Sequence, residues 1–306
     1  MTLRHYQIFV SVCDAMNMTQ AASAMYMSQS AVSQAVADME AHYGVRLFER
    51  LPKKLSLTLA GEKLLGYARH IIRMNAEAER AMRSWNDTGV LRIGASVTIG
   101  ACVLPALASS FERLSPGVSL QVTEDNTERI ERLLMDDKLD LGLVEGDITL
   151  SEIVQTPFAE DELVLVCGRG HPLFLREAIA PGEMEGLRFI LREVGSGTRK
   201  TFENAMAEHG LGWNAVWTCN NADTIKAAVA EGLGVSVISS RAVEREVAAG
   251  LIRIVPVEGL RFLRRFKLIH HKNKYLTQSM KAFAAFCLKT EGNARDHATG
   301  ETEGGE

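Results

Sequence analysis

The sequence predicts a small, mainly helical N-terminal domain, then one long helix, then a larger α/β domain. Residues 18–44, MTQAASAMYMSQSAVSQAVADMEAHYG, have the pattern of a short helix, a tight turn and a second helix. Apolar residues then recur at intervals of four and three from Leu64 to Trp85, as in one long packed helix. From Val90 onward, strand patterns alternate with helix patterns, which is typical of an α/β domain.

The composition indicates a globular protein of two or three domains. The chain has 306 residues, of which 46% are hydrophobic and 24% charged. It contains no apolar run of about 18 residues, and its first residues make a poor signal peptide, so we expect a cytoplasmic protein. The five cysteines are far apart and form no CxxC pair, so we expect neither a metal nor a cofactor.

The net charge of −4 conceals a gradient along the chain. Residues 1–73 carry eight Lys or Arg against five Asp or Glu, a charge of +3, and the remainder carries −7. A basic N-terminal domain is compatible with nucleic-acid binding, because attraction to phosphates is local and screened beyond roughly 8–10 Å.

Three short helices are predicted in the N-terminal domain. The first spans 3–16, the second follows Thr19 as its cap, and the third spans 28–43 with Ser28 as its cap. Val32, Val36, Met39 and Tyr43 form the buried stripe of the third helix. Its outward residues near the start are polar and uncharged, namely Gln29, Ser30, Ser33 and Gln34. Such side chains can read base edges in the major groove, although a solvated helix in a small bundle would show the same pattern.

A basic turn follows the third helix. Arg50, Lys53 and Lys54 precede the alternating segment 55–58, which predicts a two-stranded wing. These cations would lie next to phosphates or the minor groove, and a solvated charged turn is the alternative. The complete predicted DNA-binding set is Thr19, Ser28, Gln29, Ser30, Ser33, Gln34, Arg50, Lys53 and Lys54.

The long helix, capped by Thr58, carries a seam sustained over three heptads. The seam consists of Leu64, Ala68, Ile71, Asn75, Ala78, Met82 and Trp85. We expect it to pair with the same helix of a second copy, with Asn75 fixing the register; packing on its own domain is the alternative.

In the α/β domain, strands are predicted at 90–95, 118–123, 139–144, 162–167, 189–191, 215–219, 235–239, 252–255 and 266–270. Helices are predicted at 98–114, 127–135, 224–230 and 275–288, and one opens near Thr198. This alternation indicates a parallel sheet. Residues 292–306 have no apolar pattern and are expected to be a disordered acidic tail; together with Glu291 they carry a charge of −4.

The N-terminal motifs resemble the winged helix-turn-helix of LysR-type transcriptional regulators. The resemblance rests on the paired alanines of QAASAM, the SQSAVSQ core, the GVRLFER passage and the LTLAGE exit, and it extends over residues 2–290. Two positions depart from the family pattern: Ser30 stands where Pro is usual, and Gln34 where Arg is common. Operator sequences therefore cannot be copied from relatives.

The resemblance implies an effector domain like a periplasmic binding protein, with a ligand cleft between two α/β lobes. The implied domains are 1–60, winged helix-turn-helix; 61–88, linker helix and hinge; and 89–291, effector domain, with lobe one at 90–161 plus 265–291 and lobe two at 162–264. It also implies double-stranded DNA as partner, a homodimer or homotetramer, and possible contact with RNA polymerase. Residues 192–199 are similar to the branch that includes sulfur-assimilation and carbon-fixation regulators, which suggests a small anionic effector.

Hydroxyl-rich turns at strand ends and helix starts are the predicted effector site. The candidates are Ser96, Thr98, Thr127, Glu145, Ser196, Gly197 and Thr198. Each hydroxyl could equally be an ordinary helix cap.

Two other classes of protein are weaker alternatives. An enzyme on an α/β scaffold is disfavoured because GSGTRKT fails the phosphate-loop spacing and neither GxGxxG nor GxSxG occurs. A cytoplasmic solute-binding protein would match the α/β domain but not the N-terminal one.

Overall fold

The computed structural model describes residues 1–51, 54–83, 89–146, 148 and 150–298, with side chains for all of these except 50, 51, 54, 80–83 and 291–298. These residues form two compact units. The first comprises Met1–Thr88 with two short segments, Met135–Lys138 and Asn273–Tyr275, and the second contains the rest of the chain.

The first unit begins with helices α1 (Leu3–Ala15), α2 (Met18–Ala24) and α3 (Gln29–Tyr43). Their core is an apolar cluster that includes Phe9, Val32 and Met39. Ala21 and Ala22 are buried within it, as expected for residues that let a second helix approach closely. The Oγ of Ser28 accepts a hydrogen bond from the backbone N–H of Ala31, which confirms the predicted cap of α3.

Two local predictions in this domain are wrong. Asn17, not Thr19, caps α2, because its Oδ1 accepts hydrogen bonds from the backbone N–H groups of Thr19 and Gln20. Tyr43 is exposed rather than buried, since its hydroxyl bonds the hydroxyl of Tyr6 at 2.7 Å and holds the ring at the surface.

The wing is an antiparallel pair of strands, β1 (Phe48–Leu51) and β2 (Lys54–Leu57). Helix α4 (Leu59–Arg83) follows. The predicted cap of this helix is confirmed, because Thr58 Oγ1 accepts a hydrogen bond from the N–H of Gly61 at 3.0 Å. Lys53 lies outside the described residues, as do residues 84–88 with Trp85 and the hinge.

The seam of α4 divides into two parts. Leu64 and Ala68 pack into the core of the first unit, so this part of the helix follows the alternative reading of packing on its own domain. Ile71, Asn75 and Ala78 are exposed, and Asn75 donates a hydrogen bond to Glu79 on the same helix. The exposed apolar stripe is therefore shifted and runs through Tyr67, Ile71, Met74 and Ala78.

The second unit is built on a seven-stranded sheet. Its strands are β3 (Gly89–Ser96), β4 (Val118–Asp125), β5 (Leu141–Glu145), β6 (Ile153–Gly168), β9 (Ser236–Ser239), β10 (Ile252–Ile254) and β11 (Phe262–His271). The path β10-β6-β11-β5-β3-β4 carries β9 as an additional partner of β6. A further parallel pair joins β7 (Arg188–Arg192) and β8 (Asn214–Cys219).

The sheet is mixed, not parallel as the sequence indicated. β3 pairs in parallel with β4 and β5, whereas β11 pairs antiparallel with β5 and β6. The prediction failed because β6 follows β5, and β11 follows β10, with no helix among the described residues of either connection. Both strands contribute to two separate apolar clusters, with Ala159 and Phe266 in one and Leu163 and Phe262 in the other. The lobe boundaries themselves stay a prediction.

The helices of this unit are α5 (Val97–Cys102), α6 (Leu104–Leu114), α7 (Thr127–Met135), α8 (Gly197–Glu208), α9 (Ala222–Ala230), α10 (Ser240–Ala248) and α11 (Gln278–Ala298). The predicted helix 98–114 is split at Val103, because Pro105 occupies the first turn of α6. The last helix also extends past residue 288 into the segment expected to be a disordered tail. Residues 289–298 contain no proline, which allows the helix to continue.

In the described part of the chain, no helix is both long and apolar enough to cross a membrane.

Glycines in α4 give a test of packing in the first unit. A Cβ at Gly61 would overlap the backbone oxygen of Leu47, whereas the nearest atom to a Cβ at Gly66 is 3.8 Å away. We expect Gly61→Ala to lower the free energy of unfolding by about 1–3 kcal/mol. The matched control Gly66→Ala should raise it by roughly 0.5–1 kcal/mol, since alanine favours a helix interior. Equal unfolding midpoints for the two variants in urea would contradict this packing.

Candidate DNA interface and effector cleft

The N-terminal end of α3 presents a polar surface. Gln29, Ser30 and Gln34 are exposed, and Ser33 is half-buried. Part of this surface is ordered by hydrogen bonds within the chain: Ser28 Oγ lies 3.0 Å from Ser30 Oγ, and Gln34 Nε2 donates to Asp38 Oδ1 at 2.8 Å. The bond to Asp38 uses one amide proton of Gln34 and leaves its oxygen and second proton for base edges.

The remaining predicted DNA contacts belong to α2 and to the wing segment of the chain. Thr19 is exposed in the first turn of α2. Arg50 pairs with Leu55 across the wing, and Lys54 with Leu51 at its tip. The backbone therefore places two of the three predicted cations on the wing strands; Lys53, between those strands, is outside the described residues.

In the second unit, the predicted effector residues Ser96, Thr127 and Gly197 adjoin Glu145. The hydroxyl of Ser196 instead caps α8 by accepting a hydrogen bond from the N–H of Arg199. Ser96, at the end of β3, donates its hydroxyl hydrogen bond to Glu145 Oε2. Thr127, which opens α7, donates to the backbone oxygen of Glu145 at 3.2 Å. Both hydroxyls and the carboxylate are buried, so they form one interior polar cluster rather than separate surface caps.

A buried arginine completes the cluster, and the sequence prediction missed it. Arg264 on β11 donates from Nη1 to Thr198 Oγ1 at 2.8 Å and from Nη2 to Thr98 Oγ1 at 3.2 Å. The signal was present in the alternation of β11, since Phe262, Arg264 and Phe266 all occupy its buried face. A charged residue at an inward position marks a paired or functional site.

Two carboxylates pair with this guanidinium. Asp161 on β6 accepts from Arg264 Nε at 2.7 Å and from Ser239 Oγ at 2.7 Å. Glu145 Oε1 lies 3.5 Å from Arg264 Nη1. The fully buried groups therefore carry two negative charges against one positive charge, and Arg241, whose Nε is 3.9 Å from Asp161, offsets part of the excess.

The predicted cleft is closed beside Glu145. A Cβ at Gly197 would overlap the backbone oxygen of Glu145, and one at Gly146 would lie 3.1 Å from Gly197 Cα. The N–H of Glu128 donates to the backbone oxygen of Gly195 at 3.1 Å. The two backbone segments therefore touch where a ligand was expected, because glycine has no side chain to hold them apart.

A cavity of about 330 Å³ lies beside this contact. Gly146 and Arg264 line it together with Thr201 and Asn204 of α8 and the basic residues Arg265 and Lys267 of β11. Its volume is within the usual range for small-molecule sites.

Charges on the loop 192–199 act locally. Arg199 stacks over Trp213 at 5.4 Å and pairs with Glu203 at 2.7 Å, so it packs against α8 and the segment that follows this helix. Burial would raise the pKa of Glu193, but the hydrogen bonds and positive charge of Arg192, together with a backbone hydrogen bond and Asn126, hold that pKa below its usual value. Among the described residues, no cluster of His, Cys, Asp or Glu could hold a metal ion.

Family comparisons match both units. The bacterial regulatory helix-turn-helix family of lysR type matches residues 3–62, and the LysR substrate binding domain matches residues 86–291. The chain belongs to the LysR-type transcriptional regulators. This confirms the family, the fold class and the regulator function expected from the N-terminal motifs.

Relatives of this LysR-type regulator match it over almost its whole length. It is 33% identical to the uncharacterized HTH-type transcriptional regulator YeiE of Escherichia coli K12, covering 94% of this chain and 97% of YeiE. It is 29% identical to the probable RuBisCO transcriptional regulator of Porphyra purpurea, covering 97% and 96% of the two chains. The second relative agrees with the carbon-fixation part of the branch indicated by residues 192–199.

The second unit, which contains the LysR substrate binding domain, resembles a solved regulatory domain. The Synechocystis PCC6803 CcmR regulatory domain, in complex with 2-PG, matches with a TM-score of 0.63 and 26% identity. The match covers 67% of this chain and 98% of that domain.

Arg264 gives a test of the buried cluster. We expect Arg264→Gln to lower the free energy of unfolding by roughly 3–5 kcal/mol, because it leaves Asp161 and Glu145 buried without their cation. The matched control is Arg265→Gln on the exposed face of the same strand, which should leave stability nearly unchanged. Chemical unfolding checks both variants, and a similar small loss in each would contradict the assigned role of Arg264.

Proposed function

We propose that this LysR-type regulator binds double-stranded DNA through the N-terminal end of α3 and the wing, and that a small anion bound between its lobes controls that binding. The observation that carries the DNA part is the exposed polar surface of Gln29, Ser30 and Gln34 on a helix whose opposite face is buried. A rigid helix with hydrogen-bonding groups at its start suits the major groove. The wing cations Arg50, Lys53 and Lys54 supply attraction to phosphates.

The active form is a homodimer or a homotetramer. The exposed stripe Tyr67, Ile71, Met74 and Ala78 supports pairing of α4 with its copy, because helical spacing places these residues in one row. Pairing would place two recognition helices on two half-sites of DNA. Trp85, seven residues after Ala78, continues the same spacing in the sequence, whereas Met82 belongs to the neighbouring row that contains Ala68 and Asn75.

The anionic effector would occupy the cleft around Arg264. This arginine already pairs with two carboxylates and donates hydrogen bonds to hydroxyls of two separate helices. An incoming carboxylate or phosphate can therefore replace Glu145 as its partner. The 2-PG complex of the CcmR regulatory domain supports a small ligand in an equivalent domain. The effector-binding set is Ser96, Thr98, Thr127, Glu145, Ser196, Gly197 and Thr198, with Arg264 added.

The relatives are named as regulators, which favours regulation over catalysis. A regulator of transcription acts where the chromosome and RNA polymerase are, so we place this chain in the cytoplasm.

Gln34 tests base recognition. For a duplex that the wild-type protein selects from a randomised pool, we expect Gln34→Ala to lose about 1–3 kcal/mol of binding and to relax preference at one position. Gln278→Ala, an exposed glutamine of the second unit, is the control and should bind normally. Gel retardation at several salt concentrations checks this. Absence of any retained duplex for the wild type would overturn DNA binding itself.

Met74 tests the helix pairing. Met74→Glu places a charge in the exposed stripe of α4 and should lower the dimer fraction in sedimentation, since like charges would face each other across the seam. Leu175→Glu, at a residue 87% exposed in the second unit, should leave the mass distribution unchanged. A dimer that persists in both variants would place the interface elsewhere.

The hydroxyls of the second lobe test the effector cleft. We expect Ser196→Ala combined with Thr198→Val to weaken binding of inorganic phosphate or small carboxylates about tenfold, because the hydroxyl bonded to Arg264 and the buried hydroxyl that caps α8 are both lost. Thr290→Val, which removes a hydroxyl bonded to the backbone oxygen of Phe286 within α11, is the matched control. Calorimetric titration measures the affinities, and effector-free DNA binding should be unaltered. Equal anion affinity in the double variant and the wild type would refute this site.

A further inference from the structure

Tyr26 occupies the turn between α2 and α3 in an unusual state. Its ring is 98% exposed, and its backbone has a φ of +54°. Left-handed backbone is uncommon for a bulky residue, and glycine or asparagine normally takes such positions.

Hydrogen bonds define the turn as a Schellman motif. The N–H of Met27 donates to the backbone oxygen of Ala22 at 2.9 Å, and the N–H of Tyr26 donates to that of Ser23 at 3.2 Å. This pattern makes Tyr26 the left-handed residue just after the end of α2. The contact that normally accompanies the motif joins Met27 to the apolar core, so the backbone of the turn is held without help from the tyrosine ring.

The tyrosine side chain therefore contributes no packing within the part of the chain that the structure describes, while its Cβ imposes a conformational cost on the turn. A single exposed aromatic residue is common on protein surfaces. Tyr26, however, occupies a left-handed position at which glycine or asparagine would make the turn more stable. The general frequency of exposed aromatic residues does not explain a tyrosine at such a position.

The location of Tyr26 points to its partner. It lies two residues before Ser28, the cap of α3, and so adjoins the end of the helix that carries Gln29 and Ser30. When that end enters the major groove, the turn before it comes next to the sugar–phosphate backbone. A tyrosine hydroxyl is a good hydrogen-bond donor to a phosphate oxygen.

We infer that Tyr26 contacts the DNA backbone beside each half-site, with its hydroxyl donating to a phosphate. This inference rests on the proposed DNA interface. The contact is neutral, so it adds affinity without adding to counterion release and without reading sequence.

The test uses the full-length protein and a duplex that the wild type selects from a randomised pool. Tyr26→Phe removes only the hydroxyl and should weaken binding about threefold to tenfold, as for one hydrogen bond, with the salt dependence unchanged. Tyr26→Asn should weaken binding at least as much while raising the thermal unfolding midpoint, because asparagine tolerates the left-handed conformation. Weaker DNA binding together with a higher unfolding midpoint in Tyr26→Asn would distinguish a DNA contact from a structural role of the tyrosine.

Two variants serve as controls. Tyr275→Phe removes a hydroxyl from another exposed tyrosine and should leave DNA affinity unchanged. Met16→Asn relieves a second left-handed residue, at φ +45°, and should raise the unfolding midpoint, which shows that such relief is measurable.

Wild-type affinity in both Tyr26→Phe and Tyr26→Asn would overturn the inference while leaving DNA binding by α3 intact. A loss confined to one base position would also overturn it, since a backbone contact lowers affinity for all sequences alike. Failure of the wild type to select any duplex would overturn the proposed function, and this inference with it.

Discussion

The packing of the second unit depends on the hydrogen bonds and ion pairs of one buried group, the guanidinium of Arg264. It bonds Thr98 of α5 and Thr198 of α8, and it pairs with Asp161 of the neighbouring strand β6. One planar group with five N–H donors can satisfy several acceptors at once, which a lysine could not do with the same geometry. Helices built on two separate apolar clusters are thereby fixed by a single side chain, and burial makes each of those bonds costly to break.

The fold was predictable where local signals agree with tertiary packing. Ser28 and Thr58 cap their helices as expected, since a cap needs only its own first turn. The antiparallel return of β11 was not predicted, because alternation of strands and helices indicates parallel pairing, whereas β11 follows β10 with no helix between them. Pro105 could have revealed the break between α5 and α6, since proline is favoured in the first turn of a helix.

The candidate site was predictable in part for a related reason. Hydroxyls at strand ends and helix starts identified Ser96, Thr127 and Thr198, which the structure brings together around Glu145 and Arg264. Arg264 and Asp161 lie in the middle of strands and become meaningful only once the register of β6 and β11 aligns them. The seam of α4 shows the same limit: its period is visible in the sequence, but which row faces the domain core depends on where α1 packs.

The close contact of Gly146 with Gly197 has a kinetic consequence. An effector that enters the proposed cleft needs these backbones to separate first, so its association rate would level off at the rate of opening as concentration rises. Its apparent affinity would also fall below the intrinsic affinity in proportion to how rarely the open state is populated. A residue larger than glycine at either position would hold the backbones apart, so at the proposed cleft these two glycines would slow effector binding by keeping the closed state populated.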